Sequence, residues 1–459
     1  MNMKKIQLII AVAALTASFA SCDKFMDTVP KGKVIPTTTD DFKSMIIDVT
    51  ASSVAYPTAN VCSDDVFNNN LDGNTSNGRA YYWMEDFYKE NEKDPAWNAP
   101  YEQMYKMNVV VENIMGATEG TLEEKEAILA EAKCWRAYYN WYLQSLYAPA
   151  YQASTAATDL SVPLVLIADL EAKHSRATVE EVTSAIWADL QNAETLLPEN
   201  AANDYRPNKA AVYALKARIY FYMCEYDKAA EQAKLALAEN SALNDMRTWS
   251  FKNEEKPFAG INNKPLNPRE SPERIWYQST GFSSMITSYC ISDDLQAMYA
   301  ASDLRFKFWF TNRTRGGDIW EDGRYRYLQE LDYSFTVPEM MLIEAEALAR
   351  KNDAKALDIL NELRMTRFQT EDYVPLTEAD GDDLLAIVLA ERRRELALSG
   401  LRWLDMKRLA KDGRYTQTLI RTLNGVDYKL EPDSKLYLFP IPPQVLSLNS
   451  NIIPNDRKQ

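Results

Sequence analysis

A helical hairpin that cannot hide its own apolar faces sets the limits on what this chain can become. Lys209 to Met223 carries Ala211, Leu215 and Tyr220 at helical spacing, a break falls at Cys224-Glu225, and Tyr226 to Ala238 resumes the helix. Small alanines at the crossing let the two helices approach closely, and the pair must then stack on further pairs to bury the rest. The same grammar returns at Met340 to Arg350 and Ala354 to Arg367, with Ala345, Ala347, Ala356 and Leu357 in the corresponding places. The pattern recurs without being tandem, because an insertion, residues 240–336, separates the two hairpins.

Other segments carry the same period. Trp97, Tyr101, Tyr105 and Asn108 recur at three and four through to Ile114. From Leu122 to Tyr147 a broad stripe of Ile128, Ala132, Trp135, Tyr139, Tyr142, Leu143 and Leu146 reads as core. Thr178 with Glu181 three residues on is a capping-box start for a helix through Val182, Ile186 and Leu190 that stops at Leu197-Pro198. A short helix is expected over 41–49. Residues 55–95 keep neither period and read as mostly loop, and a long loop inside a compact domain is usually functional. The insertion is irregular and rich in Asn, Pro and aromatic residues, with a helix predicted over 291–303. From Asp433 the tail reads as extended coil, since Pro440, Pro442 and Pro443 oppose a helix.

Near the end lies a dense run of charge, Glu391 to Arg408. Glu391, Arg394 and Glu395 fall on one side of a helix, and Gly400 can adopt the left-handed conformation that ends it. Spacing alone fits either a solvated charged face or ion pairs withdrawn from water among Leu396, Leu398, Trp403 and Leu404. The adopted reading is a structural clasp formed by Glu391, Arg394, Glu395, Arg402 and Asp405. No nucleophile or histidine accompanies these carboxylates, so the stretch does not read as catalytic.

Composition narrows the function. The chain has 459 residues and a net charge of −15, which argues against nucleic acid as a partner. With His174 as the single histidine, neither a histidine-based triad nor a His-rich zinc site can be assembled. Lys4 and Lys5 precede an apolar run from Ile6 to Phe19, too short for a bilayer span and suited to a signal peptide over 1–21. The run ends in Phe19-Ala20-Ser21-Cys22, which resembles a bacterial lipobox. Cys22 is the expected lipidation site, holding the mature protein to a membrane by its acyl chains, with a polar linker to residue 40. Cys134 and Cys224 read as buried thiols, while Cys62 and Cys290 lie in loop-like stretches where pairing is an option.

Taken together, these motifs resemble the SusD/RagB family of outer-membrane lipoproteins. The closing helix with Gly400-Leu401-Arg402-Trp403-Leu404-Asp405 carries the likeness. So do Leu438-Phe439-Pro440-Ile441-Pro442, Glu131-Ala132 with Trp135-Arg136-Ala137-Tyr138-Tyr139, Val162-Pro163-Leu164, Asn361 with Arg364 and Arg367, and Asp303 with Arg305. Ser399 departs from the family, where an acid is usual before the glycine. The resemblance implies one mainly α domain over 41–459. A tetratricopeptide-like scaffold (96–238 and 337–411) would support two loop-rich insertions (55–95 and 240–336) and a tail from 433. It also implies a cell-surface protein that captures oligosaccharides, or in some branches peptides, for a SusC-like TonB-dependent transporter, without a cofactor.

Sugars present apolar C–H faces beside hydroxyls, so recognition needs flat rings together with Asp, Asn and Arg. The first irregular segment offers Trp83, Tyr81 and Tyr82 with Asp65, Arg79 and Asn74; the second offers Trp320, Tyr289 and Phe282. Packing of the loops themselves is the alternative use of those rings. Asp318, Glu321 and Asp322 beside Trp320 admit a glycoside hydrolase, and the repeats admit a protein-interaction scaffold. Oxygen ligands at Asp64, Asp65 and 68–70 admit calcium, although a solvated polar loop explains them as well.

Overall fold

A computed structural model describes residues 36–51, 57–68, 71–90, 92–199, 205–266, 268–278, 289–377 and 383–458. The expected signal peptide, Cys22 and most of the linker lie outside the described residues.

The elements follow in order. α1 spans Thr39–Ala51, α2 Pro57–Cys62, β1 Val66–Phe67, α3 Ser76–Tyr81, α4 Pro95–Asn113, α5 Leu122–Tyr147, α6 Val179–Leu196, α7 Lys209–Tyr222 and α8 Tyr226–Glu239. The insertion holds β2 Ser250–Phe251, β3 Ile261–Asn262, β4 Arg274–Trp276, β5 Cys290–Ile291, α9 Asp293–Ala297, α10 Leu304–Trp309, β6 Phe310–Thr311, β7 Arg326–Tyr327 and β8 Phe335–Thr336. The scaffold resumes with α11 Val337–Ala349, α12 Lys355–Met365, α13 Leu384–Glu395 and α14 Arg402–Lys411, then β9 Leu419–Leu423, β10 Val426–Leu430 and α15 Pro443–Leu448. Thr178 caps α6 in the expected box, its hydroxyl accepting from Glu181 N–H while the Glu181 carboxylate accepts from Thr178 N–H.

The helical pairs stack as their apolar faces require. α4 packs on α5, α5 on α6 and α7 on α8; α8 then packs directly on α11, which carries α12 and α13. The two hairpins parted in sequence are therefore neighbours in space, and the insertion is looped out between them. The aromatic stripe of α5 is core: Trp135 and Tyr138 meet Trp276 edge-on at 4.7 and 5.4 Å, and Trp276 stacks on Phe335.

Several expectations change. Residues 55–95 contain α2, β1 and α3, whose shortness leaves no period to read. The helix predicted over 291–303 is divided into β5, α9 and the cap of α10, because Asp303 accepts from Arg305 N–H and restarts the chain there. A helical turn, α15, begins at Pro443, since proline is tolerated at a first helical position. Cys224 is exposed at the left-handed turn between α7 and α8, and Cys62 and Cys290 are buried free thiols, not a disulfide. The single histidine, His174, is half-buried.

The charged run at 391–408 is indeed withdrawn from water, and its centre is a residue outside it. Arg305, fully buried, meets Asp303 at 2.7 Å, Glu391 at 2.6 Å and Glu395 at 2.7 Å. Arg367 bridges Glu395 and Glu273, each at 2.6 Å, while Arg394 and Arg364 approach Glu391 at 2.6 and 3.1 Å. One turn on, Arg392 and Arg408 share Asp405, and Arg408 also binds Glu346 of α11. The helix expected to end at Gly400 stops at Glu395; Gly400, at φ +79°, lies in the turn between α13 and α14, and its N–H donates to Asn60 Oδ1 at 2.9 Å. Ser399 forms no ion pair; its hydroxyl donates to Leu396 O.

Burial by itself would raise the carboxyls of Glu391, Glu395 and Asp405, but the surrounding guanidiniums overcome it and hold all three below the usual range. Such depressed groups stabilise the fold above the unfolded carboxylate pKa of about 4 and lose that contribution as pH falls below it. The denaturant midpoint should therefore drop as pH falls from about 5 to 2 (roughly the range from the unfolded carboxylate pKa downward) and less steeply in Glu391→Gln; a midpoint flat across that range would contradict the clasp. Arg305→Ala leaves Asp303 without its arginine, removes one guanidinium each from Glu391 and Glu395, and should cost about 3–5 kcal/mol. Arg394→Ala, at the rim, should cost about 1 kcal/mol because Glu391 keeps two partners. Equal losses for the two variants in urea titrations would remove Arg305 from the centre.

Candidate ligand-binding face

The two irregular segments meet. β1 pairs antiparallel with β5, placing Val66 opposite Ile291 and Phe67 opposite Cys290. β5 pairs with β7 and β7 with β6, completing a four-stranded sheet in the order β1-β5-β7-β6. Beyond β6 the chain turns back, with Arg313 opposite Ile319 and Trp320 N–H donating to Asn312 O at 2.8 Å. Gly317 in this turn sits at φ +102°, and a Cβ there would meet Glu255 O at 2.9 Å, so a side chain does not fit.

This turn and the sheet edge present rings braced by arginines. Arg326 lies over the half-buried Trp320 ring at 4.2 Å and pairs with Asp322 at 2.7 Å. Arg324 lies over Phe67 at 3.7 Å and pairs with the exposed Asp293 at 2.8 Å. The Trp320 indole N–H has no acceptor. Asp318, Glu321 and Asp322 stand exposed around it. Its hydrogen bond from Arg326 holds Asp322 below the usual carboxylate range, which is the ionised state and unsuited to a proton donor.

The first segment's rings are placed differently from the expectation. Trp83 is 2% exposed, its indole N–H donates to Cys62 O at 2.8 Å, and its backbone is left-handed at φ +50°. Tyr81 and Tyr82 are buried edge-to-face at 5.0 Å. The cause is Arg421 of β9, whose guanidinium lies 3.8 Å from the Tyr81 ring and 4.2 Å from Trp83 and donates to the carbonyls of Val61, Ser63, Tyr81 and Val66. Tyr81 and Trp83 are a platform for Arg421, and Tyr82 packs on Tyr81 and Tyr428, so none of the three lies open to a sugar. Asp65 likewise faces inward, pairing with Arg393 at 2.8 Å, while Asp64 takes both arms of Arg402 at 2.7 and 2.8 Å. The pair is therefore occupied by arginines and not arranged for calcium, and among the described residues no group of His, Cys, Asp or Glu could hold a metal.

Arg79 donates to Asp86 O, and the exposed Asn74 is tied to Asp72. Tyr289 is 8% exposed beside β5, and Phe282 lies outside the described residues. Sequence reasoning missed Phe67, Arg324 and Arg326. It also missed the β9–β10 hairpin, although Asn424-Gly425 between alternating residues is a strong hairpin signal.

With this geometry in hand, comparison with known proteins is decisive. A SusD-like profile described as starch-binding and associating with outer membrane matches residues 24–221, and the SusD family profile matches 333–457. The chain belongs to the SusD/RagB family. SusD-like protein P2 of Formosa agariphila is 25% identical over 421 residues, covering 78% of this chain and 79% of that protein. A SusD superfamily protein of Bacteroides fragilis superposes with a TM-score of 0.71 at 22% identity, covering 91% of this SusD-like chain and all of the other. Surface glycan-binding protein A of Bacteroides uniformis gives 0.70 at 15% identity over 92% of this chain and 100% of that one, and these likenesses establish a mainly α SusD-like fold. The profiles leave residues 222–332 between them, the stretch that supplies three of the four sheet strands. No described helix is long and apolar enough to cross a membrane.

The two tryptophans should separate cleanly. Trp83→Ala empties a core position and should cost about 3–5 kcal/mol. Trp320→Ala, half-exposed, should cost about 1 kcal/mol or less. Thermal melts showing the reverse order would invert the assignment of core and face.

Proposed function

We propose that this SusD-like protein is a non-catalytic, cell-surface binder of oligosaccharides that hands them to a SusC-like TonB-dependent transporter. The mature chain is held at the outer membrane by acyl chains on Cys22, with the paired helices toward the transporter and the sheet face toward the ligand. The observation that carries the reading is Trp320: a partly exposed ring backed by Arg326, with Asp318, Glu321 and Asp322 exposed around it, in the turn beyond β6 on the sheet where the two irregular segments join. One open ring offers the apolar surface that a sugar's C–H face needs, and the surrounding polar groups meet hydroxyls in both senses. Tyr289 and Asn74 are the further contacts at its margin.

Turnover is not part of this reading. Asp322 is committed to Arg326, which holds its carboxyl below the usual range, the opposite of the raised pKa that a glycosidase acid requires. The test is a glycan and peptide array probed with the soluble chain from Asp23, followed by calorimetry. Trp320→Ala should weaken the retained oligosaccharide about tenfold or more, the worth of one ring contact near 1.4 kcal/mol, with no reducing ends released. Retention of peptides alone, or affinity unchanged by Trp320→Ala, would overturn the glycan assignment.

A further inference from the structure

The function above leaves one cleft unused. It lies between the loop around Lys264, the segment from Tyr327 to Thr336 and the turn from Glu395 to Leu401 that closes the clasp, with a volume of 150 Å³. Its charged lining includes Lys264, Glu330 and Asp332, and its rings are Trp249, Trp309 and Tyr327. Neither Trp320 nor Phe67 nor Arg324 reaches it.

Lys264 is the informative member. It forms no hydrogen bond or ion pair with any described residue, so no carboxylate oxygen stands within 4.0 Å of its ammonium. Burial nonetheless pushes its pKa down, against the pull of Glu330 and Asp332, and burial pushes that of Asp332 up. Asp332 spends an oxygen on Ser334 N–H at 2.9 Å instead. Opposite charges that share a cleft and have both lost water gain by closing on each other. Here they are held apart, and the space between them is open.

Hydroxyl groups bridge such a gap in a way that an amine or a carboxylate cannot. A hydroxyl accepts from an ammonium and donates to a carboxylate at once, whereas a ligand ammonium can meet only the acids and a ligand carboxylate only Lys264. The half-buried Trp309 ring supplies an apolar wall for C–H groups. On the measure by which one water needs about 10–15 Å³, the cleft has room for a sugar ring.

We propose that this cleft binds a single monosaccharide-sized polyol, with Lys264 donating to one hydroxyl, Asp332 and Glu330 accepting from its neighbours, and Trp309 against the ring. The site shares its ligand class with the sheet face but none of its residues. Ligand bound here also rests on Ala397, Ser399 and Leu401, so occupancy braces the clasp turn and raises the melting temperature.

The test titrates the soluble mature chain with glucose, galactose, mannose, xylose and N-acetylglucosamine by saturation-transfer NMR and thermal shift. At least one sugar should saturate with a single site, and Lys264→Met or Glu330→Gln should weaken it about tenfold, the loss of one charge-assisted hydrogen bond. Glu330 is exposed, so its variant keeps the fold, and melting curves check both. Trp320→Ala should leave this binding intact while losing oligosaccharide, which separates failure of this site from failure of the sheet face. No saturation by any sugar, titrations unchanged in both cleft variants, or loss in Trp320→Ala alone would overturn the proposal.

Discussion

One guanidinium with no access to water, that of Arg305, faces carboxylates from its own cap and from α13. Desolvating such a group costs several kcal/mol, and only close, multiple hydrogen bonds offset it. Each of those bonds requires the insertion, the scaffold helix and the closing helix to be in place together. The network therefore does less to deepen the energy minimum than to make it unique: alternative packings leave a buried charge unmatched. Around it, Arg367 and Arg408 extend the same demand to Glu273 and Glu346, so that α11 and the approach to β4 are tied to the same charged run.

Arginine plays a second part in this protein, as a filler between rings and carbonyls. Arg218 lies 3.5 Å over Phe335 while pairing with Glu339, and Arg421 lies against both Tyr81 and Trp83. Planar, delocalised and weakly hydrated, the group stacks and donates at the same time, which an ammonium cannot do. That accounts for much of the aromatic surplus: many rings are seats for guanidiniums. It also means that abundance of aromatics in an irregular segment is a poor guide to exposure.

How far the sequence could be read follows from this. The hairpins, the α5 stripe and the Thr178 cap were legible to within three residues because period and capping are local signals. Glu391 with Arg394 was legible for the same reason. The hub was not: Asp303 and Arg305 are two residues of an irregular insertion, and nothing local says that they meet Glu391 and Glu395. Trp83 was misjudged because its covering group, Arg421, sits far along the chain on a hairpin that the reading passed over. Trp320 is partly exposed, and its partners, Asp322 and Arg326, are neighbours in sequence, so its surroundings were local enough to read.

The ties between the two ends of the molecule carry a consequence for its birth. Asp65 waits for Arg393, 328 positions later, Asp64 for Arg402 at 338, and the carbonyl of Met84 for Arg457 at 373. A chain emerging amino end first cannot satisfy these early residues from anything yet made, and closing so long a loop is slow in any event. The nascent polypeptide thus stays unlocked, and threadable through a narrow pore, until almost its last codon has been translated.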